Sequence, residues 1–202
     1  MHKEILSKTQ INLLPLIKTF SSEFGLVGGT AIALHLGHRR SIDFDLFIEK
    51  SFSNESLLNR IKNNHTIQII MVDKTDELTL VIDNVKVTFY KYPYKIKYLD
   101  KLDDIIKFPD LLTLGAMKAF ALGRRAKWKD YIDIFFILNI YTFEDVVLKT
   151  RDLFGSEFNE RLFREQLSYY EDINYEEKID YMEGKEVSDD RIKRELSKFS
   201  LK

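Results

Sequence analysis

Two aspartates stand one residue apart in the run Ile42-Asp43-Phe44-Asp45-Leu46-Phe47, whose alternation of apolar and polar positions reads as a strand. The two-residue period sends Asp43 and Asp45 to one face and Ile42, Phe44 and Leu46 to the other. Carboxylates spaced roughly 6.6 Å along a strand repel by on the order of 2 kcal/mol at an effective dielectric near 20. A hard divalent cation relieves that repulsion. Mg²⁺, held by one or two carboxylates, fills the rest of its shell with water and phosphate oxygens, and Mn²⁺ accepts the same donors. Upstream, Gly28-Gly29 leaves the short apolar run Phe24 to Val27 and opens the apolar segment Thr30 to Leu36. Without side chains, such a bend brings backbone N–H groups and a helix N-terminus close to a phosphate. Gly28, Gly29 and Thr30 are thus the expected phosphate cradle. Alone, a Gly-Gly is an ordinary turn and an Asp-x-Asp a solvated edge; their order along the chain points to a site for a metal and a polyphosphate.

A second cluster lies downstream, where Lys118, Arg124, Arg125, Lys127 and Lys129 fall within twelve positions that contain no acid. Lys118 sits between Met117 and Ala119 in an otherwise apolar helical pattern, and burying an ammonium is costly unless it meets an anion. It either neutralises the β and γ phosphates of a nucleotide, with Lys129 as a second contact, or snorkels from the helix edge. Asp130 and Asp133 share a helical face three residues apart. Asp130 reads as a general base or as an acid at a helix N-terminus. Asp133 is spaced to bind Arg124 or Arg125.

The elements that must position these groups can be read from periodicity and punctuation. Residues 4 to 20 give one or two short helices interrupted by Pro15. Phe24 to Val27 is a buried strand, Thr30 to Leu36 a helix, and Ile42 to Phe47 the strand of the two acids. Ser53 or Asn54 caps a helix to about Lys62, and Ile67 to Val72 is a strand. Leu78 to Ile82 and Val85 to Tyr90 flank Asp83-Asn84, a two-residue hairpin link. From Tyr92 to Pro109 the pattern is irregular and reads as a linker. Asp110 caps Leu111 to Leu122, which Gly123 ends. Helices follow over Trp128 to Asn139, after Thr142, and over Glu157 to Tyr170. The expected fold is α+β: a small mixed sheet with flanking helices over residues 1–100, then a helical lobe over 101–202.

Composition narrows the function classes. The 202 residues are 45% hydrophobic with a net charge of −1, so one good core is expected and any attraction for nucleic acid must be local. Cysteine is absent, which excludes disulfides and thiolate metal sites. No apolar run approaches the roughly 18 residues of a membrane span, and the N-terminal residues lack a signal-peptide core, so a cytoplasmic protein is expected. Between Glu171 and Asp190, nine acids stand against two lysines. That run reads as a solvated surface, with a cover for the basic loop at 124–129 or a site for a basic partner as alternatives.

Gly28-Gly29-Thr30, Gly37-His38-Arg39-Arg40-Ser41 and Asp43-Phe44-Asp45-Leu46-Phe47 together resemble the signature of the AbiEii/AbiGii nucleotidyltransferase-like toxins, within the polymerase-β-like nucleotidyltransferase superfamily. Lys118 with Lys129-Asp130-Tyr131-Ile132-Asp133 resembles the later motif of that family. The likeness covers residues 24–48 and 110–139. It implies a nucleotidyltransferase fold and a toxin of a bacterial toxin–antitoxin or phage-defence pair. The implied reaction is Mg²⁺-dependent transfer of a nucleoside monophosphate from an NTP to a hydroxyl, with tRNA or another RNA as acceptor and an antitoxin as partner. In the resemblance one acid of the later motif orients the lysine or the attacking hydroxyl. The superfamily commonly draws a third carboxylate from a later strand, whereas the polar face of Val85 to Tyr90 offers Lys86, Thr88 and Tyr90; Asp83 and Glu77 are the nearest substitutes, or turn and edge charges. That departure favours one metal, or a second brought in with the nucleotide. Two other classes stay open: an enzyme modifying an aminoglycoside or AMPylating a protein, and a nucleotide-binding module without turnover.

Overall fold

The computed structural model describes residues 1–122, 124, 127–171 and 173–200. Its first half is a sheet built around the two acids. After a 3₁₀ turn at Lys3–Ile5, α1 (Lys8–Thr19) opens with a reciprocal capping box between Ser7 and Gln10. Pro15 lies inside α1 and does not divide it. Both Pro15 and Ile11, whose carbonyl loses its helical partner to the proline, face solvent, so water replaces the missing bond.

There follow β1 (Gly25–Val27), α2 (Gly28–Leu36), β2 (Phe44–Ile48), α3 (Asn54–Lys62), β3 (Ile67–Lys74), β4 (Glu77–Ile82) and β5 (Val85–Lys91). They form a five-stranded mixed sheet in the order β1-β2-β5-β4-β3, in which only the central pair β2 and β5 runs parallel. Asp83 and Asn84 both take positive φ, 49° and 64°, the conformation a two-residue hairpin requires. Two boundaries differ from the sequence reading. Gly28 and Gly29 are the first residues of α2 rather than a separate turn, and Asp43 precedes β2 instead of lying within it.

The segment from Tyr92 to Pro109 is not all linker. Strands β6 (Asp100–Leu102) and β7 (Ile106–Phe108) pair as a small hairpin turned at Asp103, with φ 47°. Three-residue strands show too little alternation to be read, but Leu102, Ile106 and Phe108 are buried and tie the hairpin to the core.

The second half is helical: α4 (Leu111–Leu122), α5 (Trp128–Leu138), α6 (Phe143–Phe154), α7 (Glu160–Gln166) and α8 (Asp189–Ser197). Asp110 caps α4 by accepting from the Thr113 amide at 2.8 Å, and Thr142 and Asp145 complete a capping box on α6. Gly123 and Arg125, read above as a helix stop and as part of the basic cluster, lie outside the described residues. The helix expected over 157–170 is shorter, because Asn159 caps it late and Leu167 closes it. Helix α8 escaped detection since only Ile192 and Leu196 of its nine residues are buried. A single apolar cluster joins the sheet to α4, α5, α6 and α8. Among the described residues no helix is long and apolar enough to cross a membrane.

Candidate active site

The register of the sheet decides where the acids meet the glycine bend. Val27 pairs with Asp45, so the residue after Val27, Gly28, turns the chain directly over that carboxylate. Gly28 has φ 73°, and a Cβ placed there would overlap Asp45 Oδ2. Only glycine gives the backbone this approach. The same register sets Asp45 opposite Thr88 on β5 and brings Asp43 beside Lys86, whose Nζ lies 2.5 Å from Asp43 Oδ2. Burial would push the Lys86 ammonium down, but the bond to Asp43 and the charges of Asp43 and Asp45 outweigh it and hold it above the ordinary lysine value.

A cavity of about 480 Å³ opens over this face of the sheet. Gly28, Asp45, Lys86 and Thr88 of the sheet half and Lys118 of α4 are its polar lining. Phe47, Tyr90, Tyr92 and Met71 supply an apolar end. Glu77 also lines it, paired with Tyr90 one step further along the sheet than the Asp45–Thr88 pair. Asp83 is remote, bonded to His65 at 2.9 Å. Among the described residues no three acidic or histidine side chains come together to hold a metal. Asp43 and Asp45 are a pair of carboxylates that would suit a Mg²⁺ or Mn²⁺ ion taking its remaining ligands from water and phosphate, with Asp43 sharing its carboxylate with Lys86.

Not every expected site residue faces this cavity: Asp45, Gly28 and Lys118 line it, whereas Asp43 and Gly29 lie outside its lining, Asp43 reaching it only through Lys86. Thr30 is buried, and its hydroxyl donates to Ser41 Oγ at 3.0 Å and to the Asp43 carbonyl, tying the glycine bend to the entry of β2. Its side chain is thereby committed, and any phosphate contact from Thr30 is left to its backbone. Lys129 is engaged by Glu177 rather than turned to the cavity. Asp130 is wholly buried and accepts a hydrogen bond from Lys118 Nζ, so it can act on a substrate only through that lysine.

Lys118 itself is only 5% exposed and is held from both sides, by Asp130 and by Asp133 Oδ2 at 3.0 Å. Asp133 is the hub of a buried network that sequence reasoning did not assemble. It accepts a fork from Arg39, Nε to Oδ1 at 2.8 Å and Nη2 to Oδ2 at 2.9 Å, and a bond from His38 Nε2 at 2.8 Å. Of the suggested partners, Arg124 is exposed, lies over the Phe120 ring and pairs with Glu157 at 3.7 Å, and Arg125 lies outside the described residues. Burial would raise the Asp133 carboxyl, but Arg39, Lys118 and His38 together hold it well below the usual carboxylate range. Arg39 also passes beside Gly29, close enough that a Cβ there would meet Nη2 at 2.8 Å. One guanidinium thus braces the glycine bend against the acid that holds Lys118. The signal was present in the sequence: His38 and Arg39 belonged to a recognised motif and lacked only a role.

His38 gives this network a pH dependence. Burial lowers its imidazole below the ordinary histidine value, an effect that Asp133 only partly offsets. Nε2 donates to Asp133, which leaves Nδ1 as a buried acceptor without a partner. A second proton there would be an unpaired buried donor. Between the unfolded value near about 6.5 and the lower folded value, the unfolded chain binds more protons, so stability falls with pH through that window. The melting temperature is expected to drop as pH falls from about 7 to about 5, and His38→Gln, which keeps a donor to Asp133, should flatten that drop. Equal losses in the two proteins would remove His38 as the cause.

The acidic run after Glu171 is not simply solvated. Glu177 accepts from Lys127 at 2.8 Å and from Lys129, and although burial would raise it, these two lysines pull its carboxyl down to about 2. The Arg40 amide donates to the Asp180 carbonyl at 2.7 Å and the Met182 amide to the His38 carbonyl at 3.1 Å. The described acids of the run are all exposed, as the solvated reading expects, and Glu177 in addition pairs with the two lysines of the basic stretch.

A glycine bend set on an aspartate, in a sheet with a lysine-bearing helix at the same cavity, defines the class as a nucleotidyltransferase fold. Solved structures share it: a nucleotidyltransferase candidate from H. pylori (TM-score 0.62, 19% identity, 96% of this chain and 94% of that one) and JHP933 from Helicobacter pylori (0.55, 18%, 97% and 92%). A third is MenT4, the nucleotidyltransferase toxin Rv2826c of Mycobacterium tuberculosis H37Rv (0.58, 14%, 95% and 81%). The model of the family "Nucleotidyl transferase AbiEii toxin, Type IV TA system" matches residues 17–200, and the chain belongs to that family. It is also 32% identical over 121 residues to the uncharacterized protein aq_aa25 of Aquifex aeolicus, a match that spans 58% of each protein.

Proposed function

We propose that the protein transfers a nucleoside monophosphate from an NTP to an acceptor hydroxyl in a reaction that requires Mg²⁺ or Mn²⁺. The observation that carries this reading is that Asp45, under the Gly28 backbone, and Lys118 line one cavity of nucleotide size. The acceptor hydroxyl loses its proton to water, its oxygen bonds to the α phosphorus, the bond from that phosphorus to the bridging oxygen of the β phosphate breaks, and pyrophosphate leaves. When bound by Asp43 and Asp45, the divalent ion supplies electrophilic assistance at phosphate oxygens. The bend at Gly28 and Gly29 presents backbone N–H groups to the phosphates. Lys118 meets the charge that builds on the leaving pyrophosphate, at the point where Asp130 and Asp133 hold it. This assigns Asp130 a positioning role rather than that of the acceptor's base.

The favoured acceptor is an RNA end, tRNA among the possibilities. Its support is the aromatic end of the cavity, where the partly exposed Tyr92 lies 5.0 Å from Phe47 and 5.2 Å from Tyr94, while the exposed Arg124 lies over the ring of the buried Phe120 that packs against Tyr94. Unpaired bases stack on such rings, and an exposed guanidinium meets their phosphates. Toxicity checked by a cognate antitoxin follows from the family and belongs to the same reading. Pyrophosphate release from each NTP, measured with and without total RNA and with and without EDTA, tests it. Release is expected only with both the divalent ion and RNA present. Release that needs no RNA but rises with a protein or small-molecule acceptor would move the reading to another acceptor class.

A further inference from the structure

Where the polar face of β5 carries no acid, it carries a charge of the opposite sign beside Asp43. Asp43 and Asp45 at the entry of β2, with Lys86 and Thr88 on β5, form one patch: Asp45 is registered to Thr88, and Lys86 comes to lie beside Asp43. Lys86 is no bystander at the rim. Its side chain is 34% exposed, lines the cavity with Asp45 and Lys118, and bonds Asp43 Oδ2 at 2.5 Å. On β4 the residue paired with Thr88 is Thr79, and the one acid that strand gives to the cavity, Glu77, is paired with Tyr90 two residues further along.

We propose that the Lys86 ammonium stands in for a second divalent ion, so that the protein works with a single metal held by Asp43 and Asp45. The inference rests on the nucleotidyltransferase reading and specifies its metal chemistry. Two carboxylates, one ammonium and one divalent ion carry the same net charge as three carboxylates with two divalent ions. The lysine therefore presents a polyphosphate with the same field while removing one coordination site. A fixed ammonium also repels an ion that approaches Asp43, because like charges a few ångströms apart in a partly desolvated cleft interact strongly. The wild-type site is thus built to take one ion and to reject a second. Lys86 and Lys118 then both face the substrate, one beside the metal ligands and one beside the leaving group.

The test counts metal without turnover. Purified full-length protein is titrated with Mn²⁺ alone and the free ion is followed by electron paramagnetic resonance, with circular dichroism confirming that each variant is folded. Wild type is expected to bind one Mn²⁺ at this site. Lys86→Glu should bind two, and Lys86→Gln should bind one about tenfold more tightly, since the repelling charge is gone. Should Lys86→Glu fail to fold, the tighter binding of Lys86→Gln decides alone. Two ions in wild type, one ion in folded Lys86→Glu, or unchanged affinity in Lys86→Gln would overturn the inference and leave the transferase reading standing. Absence of Mn²⁺ binding in wild type would instead strike at that reading itself, and the inference would fall with it.

Discussion

Asp45→Asn is expected to lower the rate of nucleotidyl transfer by about 10³-fold or more while leaving the melting temperature almost unchanged. The amide is isosteric, so it fits beneath Gly28 as the carboxylate does. It removes the negative charge from the end of the cavity where the metal must sit. If the metal's contribution to the barrier is on the order of 4 kcal/mol, its loss corresponds to about three decades in rate. The loss should fall on kcat and on the apparent Mg²⁺ requirement together. A variant that keeps more than about a tenth of wild-type turnover would separate Asp45 from the reaction.

The largest expected loss of stability comes from Asp133→Ala. Asp133 has no exposed surface and accepts from Arg39, His38 and Lys118. Removing one partner of a buried ion pair costs about 3–5 kcal/mol, because the remaining charge is stranded. Here the stranded group is chiefly Arg39, itself 3% exposed, since Lys118 keeps Asp130. In a chain of this size that cost lowers the melting temperature by roughly 10 °C or more. Arg39→Met placed on top of Asp133→Ala removes the stranded cation and should recover part of the loss. Additive losses in the double variant would show that the two side chains do not act as a pair.

The network also accounts for what the sequence could and could not reveal. Asp43, Asp45, Gly28 and the β4–β5 hairpin are local patterns, and alternation, bend and motif lie within a few residues of one another. The sheet, its mixed character and the helices α3 to α6 were legible for the same reason. The roles of Asp133 and Arg39 were not, since the two are 94 positions apart and meet only when α5 packs against the segment after α2. Asp130 was read as a general base because the later motif resembles one in which an acid orients the lysine or the attacking hydroxyl, whereas it is fully buried and bonded to Lys118 of α4. Glu177 stood in an acidic run that composition alone assigns to solvent. Its reach to Lys127 and Lys129 depends on backbone pairing of Asn174 with Lys127 and Trp128, a contact between distant segments. Lys86 was visible only as the absence of an acid. Its partner, and with it a positive role, required the register between β2 and β5.

The fate of the α phosphate tests the account most directly. Folded wild type and Asp45→Asn are each incubated with the four α-labelled NTPs, Mg²⁺ and a mixture of cellular RNA and protein, and the macromolecules are then resolved. The account predicts label on an RNA band with wild type, pyrophosphate formed in equal amount, and no label with Asp45→Asn. No label on any macromolecule with wild type, or equal labelling by both proteins, would contradict it.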